Sequence, residues 1–231
     1  MAKEYYDVSY RTYFNDRLKL VEFHGVETYP LYIQVTHDRR TSFFKSYYFD
    51  LLRQPKYDFS KPSLAQVDEL ENRLIEHLIA LRKDRFYLDD LVRNYKVFGS
   101  DVLDKVDGLF RVWLADYFKK EALPGLTELM EHVPDAVVMI RVWEDLKKIL
   151  HPGIFEKMEE KAVRDAEPYM LLATYIRNKQ PNGPFCLPFH EWHREEKRIE
   201  IEVFLDEIFW RVDMGEVIRT VGRLYPTPLF W

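Results

Sequence analysis

Three stretches dense in tyrosine and phenylalanine open the chain: Tyr5–Phe14 (YYDVSYRTYF), Tyr29–Val35 (YPLYIQV) and Thr41–Phe49 (TSFFKSYYF). Residues of this kind suit a pleated, half-buried surface, so each stretch is expected to be a strand. In the second, Leu31, Ile33 and Val35 fall on one face and Tyr32, Gln34 and Thr36 on the other, the period of a strand covered on one side. His37–Asp38–Arg39–Arg40 is short and polar, a hairpin connection into the third strand. Between the first two strands, Asn15–Asp16 opens a longer excursion that returns through Gly25, and Leu18–Phe23 is a candidate further strand. The result is an antiparallel meander of three to four strands.

Downstream the period changes. Gln54–Pro62 (QPKYDFSKP) is polar and proline-interrupted, so the chain is expected to divide there into a β module, residues 1–60, and a helical domain, residues 61–231. Ser63 and Gln66 form a capping box ahead of Leu64, Val67, Leu70, Leu74, Leu78 and Leu81, which recur every three or four residues. Further helices are expected over Leu88–Val97, from Asp101 through Phe118, and from Pro134 to Leu150. Two more follow, over 154–166 and 168–178. Leu123–Pro124–Gly125 reads as a break. Gln180–Phe189 holds three prolines and must be irregular. In 195–213 strand and helix spacings compete, and the Glu, Lys and Arg content favours helix. The fold class is α+β: a small N-terminal antiparallel meander followed by a mostly α-helical body.

Composition narrows the function classes. With 47% hydrophobic and 32% charged residues the chain is globular rather than disordered. Net charge is −5. Only residues 1–60 carry more Lys and Arg than Asp and Glu, nine against eight, so a whole-protein electrostatic grip on DNA or an anionic membrane is not expected, while the count leaves room for a local patch. The single cysteine, Cys186, permits no intramolecular disulfide. The start lacks an apolar leader and no run reaches the ~18 apolar residues of a spanning helix, so the chain reads as cytoplasmic, without membrane contact.

Catalytic signatures are missing from the sequence. The serines sit in no G-x-S-x-G context, and the glycines are scattered, with no phosphate-cradling G-x-x-x-x-G-K. Cys186, His190 and His193, with Glu191, are the ligand types of zinc. However, the H-x-x-H spacing matches neither a structural zinc set nor the H-E-x-x-H of metalloproteases, whose histidines lie four apart on one helical face. Surface histidines at a helix start are the plainer reading. The protein is therefore expected to be non-enzymatic, with neither metal nor cofactor.

Two binding surfaces are expected instead. Arg11, His37, Arg39, Arg40 and Lys45 would form a basic rim on the sheet. Gln34, beside Tyr32 and Thr36 on a face open to solvent, would lie near bases, because phosphates need cationic donors and base edges need amide or guanidinium groups. Aromatic residues of the proline-rich loop and tail, Phe185, Phe189, Trp192, Tyr225, Phe230 and Trp231, would meet a protein partner or a second copy.

The segment GVETYPLYIQVTHDRRTSFF, residues 25–44, with the leucine-periodic helix Leu64–Leu81, resembles the arm-type DNA-binding domain at the front of tyrosine recombinases of the Bacteroidetes type. LFRVWLADYF, residues 109–118, faintly echoes their core-binding helices. The resemblance covers about a third of the chain and rests on strand pattern. The family's catalytic arginines, histidine and tyrosine have no counterpart here. What it implies is a DNA-contacting module without strand cleavage: a non-enzymatic accessory protein of a mobile element or phage, binding double-stranded DNA through its sheet while the helical body docks a partner. The rival is an assembly or interaction component, phage structural or defence-associated, that binds no nucleic acid.

Overall fold

Leu31, Ile33 and Val35 are buried along one side of β4 (Leu31–His37), while Tyr32, Gln34 and Thr36 stay half-exposed on the other. The alternation is that of a strand with one covered face. β4 is the centre of an antiparallel sheet, flanked by β1 (Ser9–Phe14) and β5 (Arg40–Lys45). A separate two-stranded ribbon pairs β2 (Val21–Phe23) with β3 (Val26–Thr28). The structure is a computed structural model and describes residues 8–81, 86–166, 168–209 and 212–225. Tyr5 and Tyr6, expected at the start of the first strand, lie outside the described residues.

Both hairpins turn through two residues with positive φ, His24 and Gly25 (49° and 84°) and Asp38 and Arg39 (47° and 61°). These are primed turns, whose twist matches that of the strands they join. The second fixes the register His37↔Arg40, Val35↔Ser42 and Ile33↔Phe44.

The third aromatic stretch is not all strand. β5 stops at Lys45, and Tyr47–Leu52 is a helix, α1, with Ser46 as N-cap accepting from the Phe49 N–H. The chain then passes a 3-10 turn, Pro55–Tyr57, whose Tyr57 is buried, and enters α2 (Leu64–Ala80). Ser63 and Gln66 form the expected capping box there. α3 (Leu88–Gly99) follows. α2 lies against β1, where Tyr10 Oη donates to Glu76 at 2.7 Å and Thr12 to Asp68. Tyr95 of α3 meets the ring of Phe44 edge-on at 4.7 Å.

Buried between these helices, Glu71 accepts from Ser46 Oγ, from the Tyr48 N–H at 2.8 Å and from Tyr95 Oη at 2.6 Å, while the Tyr47 N–H donates to Tyr95 Oη at 2.8 Å. The orphan amides that begin α1 are thus satisfied by a carboxyl and a tyrosine from other helices. The chain divides into two compact units between Ser100 and Asp101, not at the composition break near residue 60. The reason is this packing, which makes α2 and α3 part of the sheet's own core.

The second unit is helical. α4 (Val102–Lys120) carries Phe110, which stacks with Trp113 and Tyr169 and meets Trp143 edge-on. Around it come α5 (Pro124–His132), α6 (Met139–Ile149), α7 (Pro152–Asp165) and α8 (Tyr169–Lys179). The short α9 (Phe189–His193), α10 (Glu195–Ile208) and α11 (Met214–Leu224) complete it. Helix wins in 195–208, as its composition favours.

The expected break at Leu123–Pro124–Gly125 falls between α4, which ends at Lys120, and α5, of which Pro124 is the first residue. One expectation fails here. Pro134 does not start α6. The Arg111 guanidinium donates to the carbonyls of Val133, Pro134 and Val137 and holds that stretch as a turn. The helix begins instead where Asp107 accepts from the Met139 N–H at 2.8 Å and Tyr169 Oη from the Ile140 N–H at 2.9 Å. Asp107 is also hydrogen-bonded by Tyr169, and burial pushes its pKa up. Among the described residues, no helix is long and apolar enough to cross a membrane.

Candidate nucleic-acid interface

Alternation and register decide which side chains share the uncovered face of the three-stranded sheet. The pairings Ser9↔Thr36↔Thr41, Arg11↔Gln34↔Phe43 and Tyr13↔Tyr32↔Lys45 each run straight across it. Ser9, Arg11, Thr41, Phe43 and Lys45 are exposed; Tyr32, Gln34 and Thr36 of the central strand are half-buried, as is Tyr13 on β1. The middle row is linked: Arg11 Nε donates to Gln34 Oε1 at 2.9 Å, and its guanidinium lies 5.6 Å from the centre of the Tyr13 ring. Tyr13 and Tyr32 are neighbouring rings, centroids 6.3 Å apart. Thr36 and Thr41 share a hydrogen bond at 3.0 Å. Phe43 is 60% exposed. Lys45 Nζ sits 2.6 Å from Asp50 of α1. None of these strand positions is itself acidic, in a chain whose net charge is −5.

Of the residues expected to meet nucleic acid, the fold brings Arg11, Gln34 and Lys45 together. It does not bring the rest. His37 and Arg40 are paired with each other and alternate onto the helix-facing side with Val35 and Ile33, where the His37 ring meets Phe86 edge-on at 4.9 Å. Arg39 occupies the turn between the strands. The basic rim is therefore split by the pleat, because residues adjacent in sequence point to opposite faces. Phe43 and Tyr13 were missed as site residues, although alternation within TSFFK already sets Phe43 and Lys45 on one side.

No family model, curated protein or solved structure matches this chain.

The loop aromatics correct a second expectation. Phe185, Phe189, Trp192 and Tyr225 are only 4% to 6% exposed and belong to the core of the helical unit. Proline content suggested an exposed loop, but the Asp101 carboxylate accepts from the Leu187 N–H at 2.9 Å, and the Val102 N–H donates to Leu187 O at 2.8 Å. With its backbone thus partnered at the start of α4, the segment can be buried. Phe189 stacks on Tyr225 at 3.8 Å. Phe230 and Trp231 lie outside the described residues.

His190 is buried rather than superficial, with Nε2 3.4 Å from Glu191 Oε1, and Cys186 is buried as well. Burial lowers the pKa of His193, with the nearby Arg198 adding to the effect. Among the described residues, no group of three or more His, Cys, Asp or Glu side chains is placed to hold a metal ion. A cavity of about 720 Å³ lies between the end of α7, the start of α8 and α11, lined by Arg164, Asp165, Leu171, Glu216, Val217 and Thr220. Arg164 is paired with Asp165, and Glu216 with Arg219, so the charged groups of its wall are neutralised locally.

Proposed function

We propose that the first unit is a DNA-binding module that uses the uncovered face of its three-stranded sheet, and that the protein acts as a non-enzymatic accessory factor. The observation that carries this is the composition of that face: cations at Arg11 and Lys45, an amide at Gln34, hydroxyls at Thr36 and Thr41, rings at Tyr13, Tyr32 and Phe43, and no acidic position on the strands. Cationic and hydroxyl donors suit phosphate oxygens, and amide and guanidinium groups suit base edges. The resemblance of residues 25–44 to recombinase arm domains supports the same reading and favours a mobile element or phage as its setting. The helical unit would dock a partner. The alternative of a purely protein-binding component loses the support of Phe185, Phe189, Trp192 and Tyr225, which are buried.

The test is the double substitution Arg11→Ala with Lys45→Ala, followed by fluorescence anisotropy on labelled DNA at low salt. Binding is expected to weaken, and the dependence of log K on log salt to flatten by about one to two charges. Arg40→Ala, on the other face, is expected to leave the curve unchanged. An unaltered curve in the double variant would reject the proposal.

A further inference from the structure

Resting on that reading, we infer that the DNA taken by the sheet is an unpaired strand, its bases stacked on Phe43, Tyr32 and Tyr13, rather than an intact duplex. The side chains that project furthest into solvent decide between the two forms. In a duplex only base edges and phosphates are presented, and a phenyl ring can offer an edge nothing beyond contact with a thymine methyl. Phe43 nevertheless stands 60% exposed in the middle of β5, in the same row as Arg11 and Gln34. An unpaired base presents its π face, which any aromatic ring can take regardless of sequence.

The rings are arranged for this. Tyr13 and Tyr32 are direct cross-strand neighbours at 6.3 Å, and Phe43 is diagonal to Tyr32, since Tyr32 pairs with Lys45 and Gln34 with Phe43. A diagonal pair on a sheet lies about 7–8 Å apart, within reach of consecutive bases of an extended strand. Arg11 and Lys45 stand at opposite edges of the ring cluster, on β1 and β5, where a backbone crossing the face would run past both. Arg11 donates to Gln34 through Nε, a bond that uses one of the five N–H donors of its guanidinium.

Charge complementarity holds for duplex and single strand alike, so the rings choose the occupant.

The experiment uses the full chain and three labelled probes in anisotropy at low salt: an oligo-dT of about twelve nucleotides, the site-size range of single-strand binders, the matching oligo-rU, and a blunt DNA duplex of equal length. The expected result is oligo-dT bound at least about tenfold more tightly than duplex, with Phe43→Ala lowering that affinity by about tenfold, the range of one lost base stack. Phe43 is exposed, so the variant should fold, and an unchanged circular dichroism spectrum confirms it. Duplex bound as tightly as the single strand, or oligo-dT affinity indifferent to Phe43→Ala, would overturn the inference while leaving DNA binding by Arg11 and Lys45 in place. Binding of oligo-rU alone would overturn the assignment to DNA. No binding of any probe would remove the functional reading and the inference together.

Discussion

Replacing Glu71 by glutamine asks how the first unit tolerates a carboxyl group in its core. Glu71 is 0% exposed. Burial pushes its pKa up from 4.5 to about 7, against hydrogen bonds from Ser46, Tyr95 and the Tyr48 amide that pull it down. The unfolded chain therefore loses this proton near pH 4.5 and the folded chain near pH 7. Between those values the native state holds one proton more than the unfolded state. The stability this proton confers is complete below the lower value and is lost as pH rises through the upper one. The slope is about 1.4 kcal/mol per pH unit, which amounts to about 3 kcal/mol over the window. In the Glu71→Gln variant the side-chain carbonyl accepts from Ser46 and Tyr48, and the amide donates to Tyr95 Oη, the pattern of the protonated acid. Wild type and variant are expected to lie within about 1 kcal/mol at the acid end, with the variant ahead by about 3 kcal/mol at pH 8. Hydrogen exchange on peptides covering residues 46–80, corrected for the intrinsic rate at each pH, reads this opening directly. A difference that is flat with pH, or a wild type that gains on the variant as pH rises, would refute the reasoning. It would show that the three donors stabilise the carboxylate more than burial penalises it.

Two further outcomes follow from the sheet. Asp50→Asn removes the carboxylate 2.6 Å from Lys45 Nζ, so DNA affinity should rise and the salt dependence steepen by about one charge; an unchanged slope in anisotropy would mean that Lys45 does not reach phosphate. Arg39 holds φ at 61° in its two-residue turn, so Arg39→Gly should stabilise the hairpin by about 0.5–1 kcal/mol. Urea denaturation checks this, and a loss of stability would contradict the primed-turn assignment.

The sequence disclosed what periodicity controls. Alternation placed Leu31, Ile33 and Val35 inside, and a capping box with a three-and-four spacing located α2 to within a residue. What it hid were features decided by side chains distant in the chain. Tyr47–Leu52 has the aromatic content of a strand, and becomes helix because Ser46, Glu71 and Tyr95 supply partners for its first amides. Pro134 has the look of a helix start, and Arg111 holds it in a turn. The proline-rich loop was read as surface, since nothing local announces that Asp101, far upstream, accepts from its backbone. For the candidate site, the composition pointed to the right sheet but grouped residues by proximity along the chain. Adjacent arginines at 39 and 40 cannot share a strand face, whereas Arg11 and Phe43, far apart in sequence, share a row.

Helix α6 begins at Met139 with no side-chain cap from its N-cap residue, Val138, and its first two amides, those of Met139 and Ile140, find their acceptors elsewhere: Asp107 on α4 and Tyr169 on α8. A helix of eleven residues is marginal on its own in water. It follows that α6 is conditional in time as well as in space. Until α4 and α8 have met, the chain from 134 to 149 lacks what would start it, and a fragment ending before Tyr169 would carry the sequence of the helix without the means of initiating it.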